Sequence, residues 1–473
     1  MNSDDEVRKR RDYNLVYLGI CFLVLTLATT AVLSIQEALL AEGSHEEHVE
    51  GKKSQKGFVC LAIDCAFLSL SLWLGPSILT VTGVKKALVI GALGDVAYSA
   101  AFYFDDPKII YPICALNGLT HALLWTAQGT YLIENSTPKT IARDTSVFWL
   151  VICAAPIAGN VILFFLLDKK SKVDSSTRFL ILNVLVGIAC VASVLFCFLR
   201  PAASEDPGQK KRSRRNEGFI EALVKSWKVF IDRDMLLLTP IFCFSGQQVA
   251  YSTCIFITSV GFTLNMATYS KQLVPLSGIF IGLGVIIGGI IQYICKKKYK
   301  SDHERSVFLS IGIFCYLISF TLTVLNMPND SVFGDTTNVG ILFNSVPICL
   351  TASVLIGIGQ MYTLSNTTNL VAVMFRQESS QCSAIFNFVK FGASGLNYFY
   401  SQFFGLHIQI GILATLGVVG TILFVFVDNR TVAKTRKEKD TKLPEEQVEF
   451  MPKEHATTMI IMSSNSALQD LHA

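Results

Sequence analysis

Residues 117–135 read NGLTHALLWTAQGTYLIEN, an apolar stretch that nevertheless keeps several polar side chains. At 100° per residue in a helix, five of these side chains fall within an arc of about 80° and form one polar stripe, with Trp125 at its edge. The rest of the helix surface is mostly apolar, which is typical of a helix in a membrane. The stripe consists of Asn117, His121, Gln128, Tyr131 and Asn135.

The composition of the whole chain agrees with a membrane protein. Of 473 residues, 51% are hydrophobic and 16% are charged, whereas a soluble protein of this length needs more charges to cover its surface. About 20 apolar residues cross a bilayer as a helix, and blocks of that length recur without the alternation of a spanning β-barrel. We predict an all-α integral membrane protein with twelve transmembrane helices, at 13–36, 58–79, 87–104, 109–132, 145–167, 179–199, 235–260, 272–295, 306–326, 341–366, 381–404 and 406–427.

Lysine and arginine are unevenly distributed between the predicted spans. They concentrate in segments that are cytoplasmic if the N-terminus is cytoplasmic, such as RKRR at 8–11 and KKRSRR at 210–215, although the loop 168–178 opposes the trend. Because positive residues favour the cytoplasmic side, we predict that both termini lie there. We interpret KKRSRR as a basic loop that faces the inner leaflet, and expect no nucleic-acid partner.

The longest polar stretch inside the chain separates six predicted spans from six. VFWLVICAAPIAGN at 147–160 is similar to IFNFVKFGASGLN at 385–397, and each follows a span that carries a glutamine, Gln128 or Gln360. This pattern indicates a parallel six-plus-six repeat. The predicted segments are a cytoplasmic N-tail at 1–12, a first half at 13–199, a central loop with an interfacial helix at 200–234, a second half at 235–427 and a disordered cytoplasmic tail at 428–473.

The stretch ALLWTAQGTYLIENSTPKTIARDTSVFW at 122–149 carries a family resemblance. With the pair Gly159-Asn160, and with GPSILTVTGVKKALVIGALGDVAYSAAF at 75–102, it resembles the uncoordinated-93-like family of the major facilitator superfamily. ENST…TIARDTSVFW is most similar to one branch of that family. The resemblance implies a major facilitator fold of twelve helices. It also implies a role as an accessory subunit of a potassium channel, as a trafficking partner of another membrane protein, or as a transporter.

One departure from the superfamily pattern lies between the second and third predicted spans. Typical major facilitator transporters carry G-x-x-x-D-R-x-G-R there, which forms a charged latch. Here the turn reads TVTGVKKA, where Lys85 and Lys86 follow Gly83 but no acidic residue does. The latch cannot form as written, which favours an accessory protein over a transporter with the usual gating.

Ionisable residues inside a membrane are costly and mark candidate functional sites. Helical depth places Asp95 and His121 at a similar level on consecutive antiparallel helices, so we expect them to be in contact as a proton site or as a structural pair. We also expect Asp64 and Lys390 to pair across the two halves; the alternative is a lysine that faces a watery cavity alone. The stripe either lines a central cavity or forms hydrogen bonds between helices. The cavity-lining candidates are Asn117, His121, Trp125, Gln128, Tyr131 and Gln360.

The remaining expectations concern chemistry and partners. No nucleophile–base set, phosphate-binding loop or metal-ligand spacing occurs, so we expect no enzyme, cofactor or metal. The sequon Asn329-Asp330-Ser331 falls in a proposed outer loop and predicts a glycan. The expected partners are the lipid bilayer of the plasma membrane or an endomembrane, another membrane protein, or a small solute.

Overall fold

The computed structural model describes residues 3–41, 56–73, 75–104, 106–137, 140–168, 173–201, 227–298, 301, 303–342, 344–374 and 379–449. In these ranges the chain is helical, and its only β pairing is an isolated bridge between Thr263 and Thr336. The main helices are α1 (Ser3–Ala41), α2 (Lys56–Ser71), α3 (Gly75–Thr82), α4 (Val84–Ala101), α5 (Pro107–Glu134), α6 (Ile141–Ile152), α7 (Ala155–Leu166), α8 (Ser175–Cys197), α9 (Arg233–Ala250), α10 (Phe256–Phe262), α11 (Leu273–Lys298), α12 (Glu304–Asn326), α13 (Val346–Met374), α14 (Ser379–Tyr400) and α15 (Leu406–Glu449).

Eight helical stretches within the described ranges are long and apolar enough to cross a bilayer. The chain is therefore an integral multi-pass membrane protein, as predicted. The other four predicted spans also fall mainly on helix, in α2 with α3, in α4, in α9 with α10, and in α14. The count of twelve spans stays a prediction. The eight stretches are Glu6–Leu40, Pro107–Glu134, Arg143–Leu166, Ser175–Cys197, Ser270–Lys298, Glu304–Asn326, Val346–Met374 and Leu406–Lys434.

Some predicted spans have different ends or are interrupted. The fifth is divided between α6 and α7, with a proline in the first turn of α7, where a ring that lacks an N–H is tolerated. The tenth was predicted from 341, but its helix begins at Val346, and the described residues just before it, 341–342 and 344–345, are not helical. The end of this stretch is fixed by Asn326, because its side chain accepts a bond from the Ser345 N–H at 2.7 Å and donates to the Ser345 carbonyl at 3.0 Å.

Helices of the first half approach closely at glycines. A Cβ on Gly118 of α5 would lie 2.4 Å from the backbone oxygen of Asp64 in α2. A Cβ on Gly94 of α4 would lie 1.9 Å from Oγ1 of Thr120 in α5. Small residues let helix backbones approach in a membrane, so α2, α4 and α5 form one tight group.

The second half is joined by hydrogen bonds between α9 and α14. Ser394 Oγ donates to the Gly246 carbonyl at 2.8 Å, and Asn397 Nδ2 donates to the Gln247 carbonyl at 2.9 Å. After α9 the chain makes a π-turn at Tyr251–Ile255 before α10 continues. Such a turn holds one extra residue within a helix.

The two halves meet along a seam formed by α2 with α14 and by α7 with α11. A Cβ on Gly395 of α14 would lie 3.2 Å from Cβ of Cys65 in α2, and a Cβ on Gly278 of α11 would lie 2.5 Å from Nδ2 of Asn160 in α7. We call the end of the bundle where α1 begins the tail end, and the opposite end the far end. Gln272 reaches across the halves at the far end, 3.3 Å from Asp168.

The last helix corrects one prediction. We expected disorder from residue 428, yet α15 continues to Glu449. Asp428 is buried and accepts a bond from Arg305 Nε at 2.9 Å, and the sequence beyond it is rich in lysine, arginine and glutamate, which are strong helix formers. The N-tail is likewise helical from Ser3. Most of the predicted interfacial helix of the central loop lies outside the described residues.

Candidate functional site

Four polar side chains meet where α2, α4 and α5 pack together. Nδ2 of Asn117 donates to Oδ1 of Asp64 at 2.9 Å. One turn further along α5, Nδ1 of His121 lies 3.4 Å from Oδ1 of Asp95. Both carboxylates are buried, 7% exposed at Asp64 and 2% at Asp95. We call these four residues the acid–histidine cluster. The predicted contact between Asp95 and His121 is present in the structure.

An aromatic stack extends the cluster towards the tail end. The His121 ring lies 6.0 Å from the Trp125 ring at an interplanar angle of 25°, and Trp125 lies 5.8 Å from Trp149 at 7°. Phe22 of α1 also packs against Trp125, with ring centroids 5.4 Å apart. Trp149 itself is 47% exposed. Trp125 is half-buried and packs between α1, α5 and α6, and its role in a cavity lining stays a prediction.

The tail-end part of the polar stripe is structural. The Tyr131 hydroxyl donates to the Arg200 carbonyl at 2.7 Å, and Nδ2 of Asn14 donates to Oδ1 of Asn135 at 2.8 Å. Both Tyr131 and Asn135 are almost fully buried. The Tyr131 hydroxyl thus joins α5 to the segment just after α8, and its place in a cavity lining stays a prediction.

The two predicted glutamines lie on different halves. Gln128 is buried on α5, two turns beyond His121, and Gln360 is half-buried on α13. The structure places no hydrogen bond between them. Their role as cavity residues stays a prediction.

Asp64 and Lys390 do not form the predicted ion pair in the structure. The helices that carry them do meet, since the Ser69 hydroxyl of α2 donates to the Phe388 carbonyl of α14 at 2.8 Å. Asp64, however, is bound by the nearer amide of Asn117. The Lys390 ammonium lies over the Phe391 ring, 4.8 Å from its centroid. No described residue, Asp64 included, forms an ion pair with Lys390.

Sequence reasoning missed a buried acid at the far end. Glu37, near the end of α1, is 3% exposed, and its carboxylate accepts a bond from the Phe58 N–H at 2.9 Å. Beside it, Gln36 Nε2 donates to the Gly57 carbonyl, and Gln36 Oε1 accepts from the Tyr98 hydroxyl. Glu37 lies just beyond the predicted end of the first span. Extending that apolar block by one turn would have revealed it.

The predicted glycan site lies at the far end. Asn329 is exposed, and its Oδ1 accepts a bond from the His407 N–H at 2.9 Å. The hydroxyl of Ser331 is buried and donates to the Pro328 carbonyl. Asn329 therefore helps to hold the first turn of α15, and its glycosylation stays a prediction.

The chain has relatives of known family. A family model described as "Ion channel regulatory protein UNC-93" matches residues 49–425. UNC93-like protein MFSD11 of Xenopus laevis is 27% identical, over 89% of this chain and 96% of that protein, and the protein of the same name from Xenopus tropicalis is 28% identical over the same shares. The family match confirms the family resemblance, and both relatives carry the name of the branch to which the sequence is most similar, major facilitator superfamily domain-containing protein eleven.

The fold also matches solved membrane transporters. A POT family transporter in complex with 5-aminolevulinic acid aligns with a TM-score of 0.61 at 13% identity, over 88% of this chain and 96% of that one. At this identity the match shows the fold alone. The predicted likeness of the fold to that of membrane transporters is thereby confirmed.

Proposed function

We propose, since this chain belongs to the UNC-93 family of ion channel regulatory proteins, that it is an accessory subunit of another membrane protein. The partner would be an ion channel, such as a potassium channel, or a membrane protein whose trafficking it assists. The family match over most of the chain carries this proposal.

The turn between α3 and α4 supports it. Gly83 adopts φ +76°, and the exposed Lys85 and Lys86 follow it at the start of α4. Neither lysine forms an ion pair with another described residue. Ion pairs at the tail end instead join helices within one half, as Arg305 does with Asp428 and Arg143 with Asp12. A protein that regulates a partner has no need of the charged latch that resets a transporter.

The proposal includes the orientation. With twelve spans, and with the tail end in the cytoplasm, the basic segment at 8–11 faces the negatively charged inner leaflet. The second basic segment, 210–215, lies outside the described residues. The two halves, 13–199 and 235–427, would be the membrane domains, and the far end would face the outside of the cell or an organelle lumen. This arrangement puts Asn329 on the side where glycans are added.

Purification of the full-length chain from its native membranes in mild detergent tests the accessory role. We expect one membrane protein to co-purify at fixed stoichiometry. If it is a channel, its current or its surface level should change when the chain is removed and recover when the chain is restored. Purification of the chain alone, with no effect on any co-expressed channel, would contradict the proposal.

Proton-coupled transport of a small polar or organic solute is the second candidate function, and the acid–histidine cluster favours it. Buried carboxylates beside a histidine can take up and release protons within a membrane. The test is solute uptake into vesicles that contain the purified chain, with and without a pH gradient. Gradient-driven uptake that is lost in His121→Gln and retained in Lys85→Met would favour transport. Absence of uptake across a broad solute screen would leave the accessory role.

A further inference from the structure

The loop between α12 and α13 contacts the turn that follows α10. We call residues 328–342 of this loop the far-end strap. Thr336 of the strap forms the isolated bridge with Thr263. In this bridge the Leu264 N–H donates to the Thr336 carbonyl at 3.0 Å, and the Thr336 N–H donates to the Phe262 carbonyl at 2.9 Å. The backbone of the strap is therefore bonded directly to the end of α10.

Other strap residues fix the position of Asp335. Oδ2 of Asp330 accepts bonds from Oγ1 of Thr336 at 2.8 Å and from Nδ2 of Asn338 at 2.9 Å. Gly334 adopts φ +140°, a conformation that glycine reaches far more readily than other residues. Asp335 lies between Gly334 and Thr336 in the chain, so the strap holds its carboxylate in a defined place.

Lys271 connects the strap to the end of α10 through its side chain. It lies in the short helical turn before α11 and is buried. Its ammonium forms an ion pair with Asp335 and donates to the Gly261 carbonyl at 3.1 Å. The same ammonium lies 4.4 Å from the centroid of the Phe262 ring. A buried ammonium needs such partners to offset its lost hydration, so this one side chain holds three segments together.

The residues that Lys271 holds are also the ones that contact the first half at the far end. Phe262 is 3% exposed and packs in a hydrophobic cluster whose other buried members all belong to the first half. Gln272, which follows Lys271 in the chain, lies 3.3 Å from Asp168 of the first half. Movement of the Lys271 backbone would therefore disturb both contacts between the halves.

We propose that the ion pair of Lys271 with Asp335 is a lock that keeps the two halves closed at the far end, and that its release lets them separate there. Removal of the carboxylate would leave the buried ammonium without this opposite charge, which is costly, so the strap and the turn would move apart. The Asp335 side chain is 26% exposed, so the lock is accessible from the far end. This inference goes beyond the accessory role and does not depend on transport.

Amide hydrogen exchange of the full-length chain in phosphatidylcholine nanodiscs tests the lock. The Leu264 and Thr336 amides, which form the bridge, exchange when the strap leaves the turn. In Asp335→Asn we expect both amides to exchange about tenfold faster or more, because a hydrogen bond to a charged group is lost. Mass spectrometry of peptides that cover 261–266 and 334–338 measures the exchange. Peptides from α13 should stay protected, which shows that the variant is folded.

Further variants separate the ion pair from general effects of substitution. Lys271→Met removes the other partner, should accelerate the exchange of the same two amides to a similar extent, and provides the test if Asp335→Asn does not fold. Asp335→Glu keeps the charge and should exchange more slowly than Asp335→Asn. Lys85→Met, at an exposed lysine of the tail end, should exchange like the unaltered chain.

A cross-link between the halves tests whether the lock controls their separation. A Cβ on Gly395 would lie 3.2 Å from Cβ of Cys65 across the seam, so oxidation of Gly395→Cys should tie the halves together outside the strap. In a chain that also carries Asp335→Asn, oxidation should slow the exchange of the bridge amides about fivefold or more, because strap release and separation of the halves are coupled. Oxidation of the same variant with Gly411→Cys in place of Gly395→Cys should have no effect.

Two results would overturn the proposal. One is unchanged exchange of the bridge amides in both Asp335→Asn and Lys271→Met while α13 stays protected, which would mean that the ion pair does not hold the strap. The other is equal exchange in the oxidised and reduced forms of the chain that carries Gly395→Cys and Asp335→Asn. That result would mean that the strap opens without any separation of the halves.

Discussion

His121 and Asn117 serve two buried carboxylates from one face of α5. They are four residues apart, about one helical turn, so Asn117 can bind Asp64 on α2 while His121 contacts Asp95 on α4. An unpaired carboxylate in this position would cost several kcal/mol. The polar stripe therefore holds α2, α4 and α5 together, whether or not it also binds a ligand or a proton.

Coupling between Asp95 and His121 is the prediction at this residue pair. We expect Asp95→Asn and His121→Gln each to lower the stability of the purified chain. The double variant should lose less than the sum of the two, by about 0.5–2 kcal/mol, because the second change removes a contact already lost. Thermal unfolding of the three variants and the unaltered chain measures this difference. If the stability losses of the two single variants add up in the double variant, the 3.4 Å contact between His121 and Asp95 contributes nothing to stability.

Residue contacts were predictable where the helices are consecutive. Asp95 and His121 lie on neighbouring antiparallel helices, so counting 1.5 Å per residue from the connecting loop was enough to match their depths. Asp64 and Lys390 belong to different halves, and depth alone could not show that Asn117 would reach Asp64 first. The role of Tyr131 was missed because its acceptor is a backbone carbonyl at Arg200, which no side-chain pattern reveals.

Helix packing depends on a few glycines, of which Gly246 is the most constrained between α9 and α14. A Cβ there would lie 1.9 Å from the Lys390 carbonyl oxygen, a backbone atom that cannot rotate away. Gly411 in α15 offers the opposite case, since nothing lies within 4 Å of a Cβ built on it. The two positions form a matched pair for testing the packing.

Alanine at these two glycines should therefore have opposite effects. Gly246→Ala should destabilise the chain by about 1–3 kcal/mol, because α9 and α14 must move apart. Gly411→Ala should be neutral or stabilising by up to about 1 kcal/mol, as expected from helix propensity alone. Thermal unfolding in the same detergent compares the two variants. If Gly246→Ala and Gly411→Ala changed the stability equally, the close approach of α9 and α14 at Gly246 would be contradicted.

The elements themselves were predicted well because apolar length is a strong signal in a membrane protein. What the sequence did not indicate were departures from regular helix. The π-turn at Tyr251–Ile255 lies in the middle of an apolar block, with no glycine or proline among its five residues. The helical start of the C-tail was missed for a different reason. Its anchor, the contact of Asp428 with Arg305, depends on the packing of α12 against α15.

The two halves contact each other along the seam from the far end to the middle of the bundle. Gly395 and Cys65 lie on this seam, and a Cβ on Gly395 would be 3.2 Å from Cβ of Cys65. Disulfides have Cβ–Cβ distances of about 3.5–4.5 Å, so a shift of a few tenths of an ångström would permit a bond. The native cysteine thus provides one partner of a cross-link between the halves.

Gly395→Cys should form a disulfide with Cys65 under a membrane-permeant oxidant. With a protease site introduced between residues 207 and 214, the two halves should then migrate together on a non-reducing gel and separately after reduction. Gly411→Cys is the control, since nothing lies within 4 Å of its Cβ position. If the two halves of oxidised Gly395→Cys migrate separately on the non-reducing gel, the contact between α2 and α14 at this position is contradicted.

Glycosylation tests the orientation of the whole molecule. We expect a glycosidase-sensitive band that disappears in Asn329→Gln and persists in Asn135→Gln, because Asn135 lies at the tail end, buried against Asn14. Loss of the glycan in Asn135→Gln instead would place the tail end on the outside. Electrophoretic mobility before and after glycosidase treatment is the measurement.

The π-turn at Tyr251–Ile255 also indicates where the chain can lose one residue without disturbing the fold. A π-turn is what remains when one residue is inserted into an α-helix, so removal of one residue there would restore a regular helix and keep α10 in line with α9. The same deletion elsewhere in α9 would rotate every later side chain by about 100°. Homologous chains can therefore be expected to differ by a single-codon gap here, within a predicted membrane span, where alignments normally allow none.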